Sequence, residues 1–199
     1  MSLDGSYFDR LYEADADPWQ FRTREYETRK RNLTLACLPD RHYGSCFEPG
    51  AAIGVLSAEL AGRCDHVLAM DISAAALRLA EKDLPENVLL RHGAVPRDWP
   101  DGSFDLVVLS EVGYYLDRSD CSELAGLAVR NAQDLLVVHW RHPVADYPLS
   151  GDEVHELLAE AALGAGMQQL VDHREDDLRL DVWSHDARSV AVRTGVPHQ

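Results

Sequence analysis

The rhythm of apolar and polar positions changes at residue 43. Beyond it, short apolar runs alternate with longer segments whose apolar residues recur every three or four positions. That is the pattern of a mostly parallel sheet with helices on both faces. YGSCFEP (43–49) predicts the first strand, and IGVLSAELAG (53–62) a helix with Leu56 and Leu60 one turn apart and Gly62 at its end. HVLAM predicts strand two. AAALRLAEKDL predicts helix two, with Leu77, Ala80 and Leu84 on one face and Ser73 placed to accept the free amide hydrogens of the first turn. NVLLR is a shorter third strand. FDLVVLSEV is the strongest strand, because the continuous LVVL run belongs to a central strand covered on both faces.

Leu124, Leu127 and Ala128 predict a helix over 120–131, and DLLVVHW a fifth strand. Ser150 and Glu153 form a capping box ahead of Val154, Leu157, Leu158, Ala161 and Ala162, a stripe closed by Gly164 and Gly166. MQQLVDHR, LRLDVWSH and RSVAVR each read as strands, and their short connections favour an antiparallel ending. Before residue 43 the pattern is helical: a short helix around YFDRLYEA, a DPW turn, and a longer helix from Thr23 to Cys37. The chain is expected to form a single domain, with residues 1–40 as a helical cover and 41–199 as the sheet core.

Composition narrows the partners. The 199 residues are 46% hydrophobic, enough for one core, and the net charge of −15 repels phosphate backbones and anionic headgroups. A small-molecule partner is expected, with no nucleic acid and no membrane. No apolar run approaches the roughly 18 residues of a membrane span, and MSLDGSYFDR lacks the basic start and apolar stretch of a signal peptide, so a cytoplasmic location is expected. Cys37, Cys46, Cys64 and Cys121 form no CxxC pair, and on a strand His139 and His142 point to opposite faces, so no metal is expected.

The candidate chemistry starts at FEPGAAIG (47–54), between the first strand and its helix. Glycine at such a turn lets backbone approach a ligand, and the following helix offers free amide hydrogens. Asp71 ends the second strand about 20 residues after Gly50, the spacing at which an acid meets ribose hydroxyls. The turn lacks the second glycine of GxGxxG, which disfavours a nicotinamide dinucleotide and with it an oxidoreductase. Glu48 repels a pyrophosphate but suits a ligand carrying an ammonium or a sulfonium group. S-adenosylmethionine carries both.

EPGAAIG, MDIS, RHGAVPRDWPDGSFDLVVLSEV and the sheet pattern from residue 43 resemble the class I S-adenosylmethionine-dependent methyltransferases, with their Rossmann-like fold. DPWQFRTREYETRK, EPGAAIG, FDLVVLSEVGYYL and HWRHP together resemble the nodulation protein S family, small N-methyltransferases acting on deacetylated chitin oligosaccharides. The resemblance implies that Glu48 and Gly50, in one turn with Ala51 and Gly54, hold the methionine end of the cofactor. It also implies that Asp71 bridges the ribose hydroxyls and that Ile72 lies against the adenine. Gly93-Ala94-Val95 falls where many members carry an aspartate that contacts the adenine amino group. Ala94 cannot make that contact, so adenine recognition rests on backbone groups and apolar packing at Ala94 and Val95. Ala52 replaces the central glycine of the commoner GxGxG form.

Ser110 and Glu111 end the fourth strand, at the carboxyl edge where open α/β sheets bind ligands. Glu111 is the expected catalytic residue, able to bind, orient and deprotonate an acceptor ammonium, with His139 as the alternative base. In the second helix Tyr26, Lys30, Leu33 and Cys37 share one face, which turns a cation inward. Tyr26, with Arg29 or Lys30, is expected to meet the cofactor carboxylate, and Trp19 and Tyr115 to offer aromatic platforms to the substrate. The expected reaction is methyl transfer to a small polar acceptor, the amine of a deacetylated amino sugar. O- or N-methylation of another metabolite is the alternative, and Ala52 and Ala94 keep open an inactive nucleoside-binding module.

Overall fold

The computed structural model describes residues 1–196. Its strands are β1 (Tyr43–Pro49), β2 (Cys64–Asp71), β3 (Val88–His92), β4 (Phe104–Ser110), β5 (Ala132–Trp140), β6 (Gln168–Arg174) and β7 (Leu178–Ser184). They form a seven-stranded sheet in the order β3-β2-β1-β4-β5-β7-β6. Strands β1 to β5 run parallel, while β7 pairs antiparallel with both β5 and β6. The mostly parallel sheet with an antiparallel ending is thus the one the pattern predicts. Tertiary pairing decides the order of the last strands, inserting β7 beside β5 and leaving β6 at the edge.

The helices are α1 (Gly5–Ala14), α2 (Glu25–Ala36), α3 (Val55–Ala61), α4 (Ala74–Ala80), α5 (Arg118–Asn131), α6 (Gly151–Gly164) and α7 (Val190–Arg193), with a 3-10 turn at Gly113–Tyr115. Ser73 accepts the N–H of Ala76 at 3.1 Å, and Ser150 with Glu153 completes its capping box. RSVAVR corrects the reading of the tail: it is the single turn α7, capped by Ser189, not a strand. Four alternating residues cannot distinguish a strand from one helical turn. Here the position of Arg193, drawn onto buried Asp134, selects the turn.

Strand β4 shows why the core has two faces. Val107 and Leu109 pack with Leu124 and Ala128 of α5 and Leu158 of α6, whereas Leu106 and Val108 pack with Leu56 and Leu60 of α3. All four strand residues are fully buried, worth about 1.5–3 kcal/mol for each such side chain. A third apolar cluster joins Phe8 and Tyr12 of α1 to Ile53, Ala75 and Ala76. Asp9 fastens that contact by accepting from Ser73 Oγ at 2.6 Å and Ala75 N–H at 3.1 Å, while Leu3 N–H donates to Tyr115 O at 2.9 Å. The first helix and the residues before it therefore bridge the ends of β2 and β4. Among the described residues no helix is long and apolar enough to cross a membrane.

Candidate active site

The chain leaves β1 for β2 on one side and returns to β4 on the other, so the carboxyl ends of β1 and β4 flank a crevice at the point where strand order reverses. A cavity of about 690 Å³ fills it, roofed by residues of the N-terminal segment. Among its wall residues are Glu48 at the end of β1 with Gly50 and Ala51 of the turn that follows, Asp71 and Ile72 at the end of β2, Ala94 and Val95 after β3, and Ser110 and Glu111 at the end of β4. Lys30, Trp19 and Tyr115 also line it. Gly54, Tyr26, Arg29 and His139 do not.

Backbone geometry builds the first turn. Gly50 has φ +76°, and a Cβ there would stand 3.1 Å from Val112. Its N–H and that of Ala51 both donate to Met70 O, at 2.8 and 2.9 Å. Ala52, the residue in place of glycine, also takes a positive φ of +52°, a strain of order 1 kcal/mol. Its N–H donates to Asp71 Oδ2 at 2.8 Å, which ties the turn to β2 and keeps it open without the glycine. Gly54 serves packing, with its Cβ position 3.0 Å from Leu84 and 3.1 Å from Ala80.

Two acids stand in the half of the cavity nearest this turn. Asp71 is 7% exposed, and its Oδ1 accepts from Ser73 N–H at 2.8 Å. Burial raises its carboxyl pKa against the pull of these N–H groups. Each oxygen keeps a lone pair for a hydroxyl donor. Glu48 is 2% exposed and accepts from Ser57 Oγ at 2.5 Å, and no salt bridge reaches it among the described residues. Burial pushes its carboxyl up to about 8. Across the cavity, Ala94 N–H donates to Asp98 Oδ2 at 2.9 Å, so an acid lies close to the place where Ala94 itself offers none.

The other half centres on Glu111, held at φ +57°. Its Oε1 lies 2.7 Å from Lys30 Nζ, and its Oε2 accepts from Tyr114 OH and, at 3.0 Å, from Trp140 N–H. Lys30 also lies 2.9 Å from Glu27 Oε2. Burial works against the Lys30 ammonium, but the two carboxylates overcome it and raise its pKa. Glu27 is a wall residue that the sequence reading missed. It is 7% exposed, and the three-residue spacing that puts it on the face of Lys30 was the signal that could have found it. Arg31, also in the wall, is held by Glu59 at 2.8 Å and by Phe21 O at 2.8 Å.

The aromatic residues differ in placement. Trp19 packs between Tyr12 and Phe21, with ring centroids 5.6 and 5.7 Å away. Tyr115 packs against Phe8, Tyr114 and Tyr147. Tyr26 lies edge-on to Trp140, its hydroxyl buried without a partner among the described residues. Arg29 points outward into a two-bond pair with Glu175, at 2.6 and 2.9 Å. His139 is fully buried behind the Glu111 turn, where its Nε2 accepts the N–H of Gly113 at 3.0 Å.

The family model described as Nodulation protein S matches residues 8–140, from α1 through β5. A candidate methyltransferase from Pseudomonas syringae is 42% identical, with 81% of this chain and 100% of that one covered and a TM-score of 0.70. The N-methyltransferase NodS from Bradyrhizobium japonicum WM9, in complex with S-adenosyl-L-homocysteine, is 18% identical over 90% of this chain and 96% of its own, with a TM-score of 0.77. The DhpI–SAH complex is 16% identical over 92% and 96%, with a TM-score of 0.72. These two share the fold. No curated protein matches by sequence. With two thirds of its length matched, the chain belongs to the nodulation protein S family of S-adenosylmethionine-dependent methyltransferases.

Proposed function

We propose that the methyl acceptor is a small amine, the free amino group of a deacetylated amino sugar or chitooligosaccharide. The observation that carries this reading is the charge of the cavity wall. Seven acidic side chains line it against three basic ones, and buried Glu27 and half-buried Glu111 share the one cation Lys30. Such a wall favours cationic occupants.

The residues fit the cofactor of the family. A carboxyl as buried as Glu48, with no cation of its own among the described residues, suits a ligand that brings positive charge, and Asp71 offers acceptors to two hydroxyls. When bound, S-adenosylmethionine supplies a sulfonium methyl group open to in-line displacement. On this reading Glu48, Gly50 and Ala51 hold its amino-acid end, Asp71 the ribose, and Ile72, Ala94 and Val95 the adenine. Ser110 borders the same wall, and residues 1–40 cover it.

The acceptor amine arrives as an ammonium and must lose a proton before its lone pair can react. Glu111 binds that ammonium, orients it and accepts the proton. Lys30 beside it favours the neutral amine, since like charges repel. Trp19 and Tyr115 present aromatic faces to the sugar. Four free cysteines fit a reducing compartment, and we place the protein in the cytoplasm.

A cofactor-turnover screen tests the acceptor with deacetylated chitin oligosaccharides, simple amines and hydroxylated metabolites. Turnover with the amino sugars is expected. Turnover confined to hydroxyl acceptors would replace the amine reading while leaving the methyltransferase intact.

A further inference from the structure

Behind the Glu111 turn runs a buried chain of polar groups that the chemistry above does not use. Gly113 N–H donates to His139 Nε2 at 3.0 Å, His139 Nδ1 lies 3.3 Å from His155 Nε2, and His155 Nδ1 lies 2.6 Å from Asp181 Oδ2. The three side chains come from β5, α6 and β7, and none is more than 1% exposed.

The two ends of the chain decide where its protons sit. A backbone N–H can only donate, so Nε2 of neutral His139 is the bare acceptor and its proton is on Nδ1. That proton points to Nε2 of His155, which carries its own proton on Nδ1 and donates to Asp181. Gln169 Nε2 at 3.2 Å and Arg179 Nε at 3.1 Å hold Asp181 as the anionic terminus. Burial lowers the pKa of both histidines, which keeps them neutral. A proton on His139 Nε2 would face the Gly113 N–H donor to donor.

What the chain holds is the turn that carries Glu111. A non-glycine residue at φ +57° persists only where its surroundings over-determine it. Three bonds from β5 do so: Glu111 N–H to Val138 O at 2.9 Å, Trp140 N–H to Glu111 Oε2 at 3.0 Å, and Gly113 N–H to His139. Only the last depends on a β5 side chain. The turn lies close against α6, where a Cβ on Gly113 would stand 2.4 Å from Val154, so only glycine fits.

We propose that His139 is a positioning residue: the Asp181–His155–His139 chain locks its Nδ1–H tautomer, so that Nε2 pins Gly113 and with it the strained turn that presents Glu111 to the methyl acceptor. This rests on Glu111 being the residue that meets the acceptor.

Nitrogen-15 spectra of the histidine-labelled wild-type protein read the tautomers directly. Protonation of His139 and His155 on Nδ1 is expected, and a proton on Nε2 of His139 overturns the inference. In turnover assays His139→Phe is expected to lower kcat about tenfold or more, because small misplacements of reacting groups cost that much, with affinity for S-adenosylhomocysteine within about twofold. His139→Gln, whose amide oxygen reaches the place of Nε2, recovers most of the loss. A His139→Phe enzyme with wild-type kcat, beside a crippled Glu111→Gln enzyme, overturns the inference and leaves the role of Glu111 standing. Wild-type turnover by Glu111→Gln overturns the role of Glu111 instead. Where His139→Phe does not fold, the wild-type tautomers decide.

Discussion

The two edges of the sheet bury acids under opposite conditions. At the amino-terminal edge Asp134 is fully buried, and Arg193 grips it with two bonds of 2.5 and 3.0 Å. Ser184 Oγ adds a bond of 2.5 Å, Tyr43 OH one of 3.2 Å, and Asp40 covers the remaining side of the guanidinium. At the carboxyl edge, among the described residues, Glu48 has only the Ser57 hydroxyl, and Glu27 and Glu111 divide one ammonium. A buried charge whose partners are all supplied by the chain is structural. One left short of countercharge is unfavourable until a ligand completes it. The fold thus separates an edge that the chain closes by itself from an edge that it leaves for what binds.

The largest effect expected from this contrast is on stability at the closed edge. Asp134→Ala leaves the buried Arg193 guanidinium to Asp40 on one side only and should lower the unfolding free energy by about 3 kcal/mol, with affinity for S-adenosylhomocysteine unchanged. Urea denaturation and calorimetry measure the two; a loss of affinity without a loss of stability would break the comparison. At the open edge the order reverses. Glu111→Gln should cut kcat about 100-fold, the usual worth of a positioned base, while moving the urea midpoint far less than Asp134→Ala does.

A third effect sharpens the state of Glu48. Its carboxyl titrates at about 8 in the folded protein against an ordinary 4.5, so between those values the folded chain holds a proton that the unfolded chain has released. Stability from this group therefore falls as pH rises from about 4.5 to 8 and is level above that. Urea titrations of wild type and Glu48→Gln across this range should differ by that slope; parallel curves would mean that Glu48 is ionised and already compensated. The smallest effect belongs to Arg29. Its pair with Glu175 is solvent-exposed, so Arg29→Ala should leave both the melting temperature and cofactor affinity nearly unchanged. A clear loss of cofactor affinity would bring Arg29 back to the cofactor.

Much of this was legible in the chain because it is local. Ser73 and Ser150 with Glu153 announce their helices because a cap is made within one turn. LVVL announces a central strand because burial on both faces leaves no polar position. The spacing of Gly50 and Asp71 is legible because a strand-turn-helix-strand unit has a nearly fixed length. The placements of Tyr26 and His139, and the sharing of Lys30 by Glu27 and Glu111, were not legible in this way. Glu27 shares Lys30 with a residue 84 positions away, His139 meets Gly113 across 26, and nothing in the HWRHP stretch says that the imidazole turns away from the cavity.

By itself, then, the sequence determined the element order as far as β7, the parallel character of the sheet, the glycine turn with its acid about 20 residues on, and the acidic net charge. Those follow from periodicity, capping, spacing and composition, each a property of neighbouring residues or of a simple sum. Only the tertiary structure decided that β7 lies inside β6, that RSVAVR closes as a helical turn on Asp134, and that Lys30 stands between two acids. The physical reason is the same in each case. The free energy of a buried charge or an unpaired strand edge depends on which distant groups arrive beside it, and that is settled only when the chain packs.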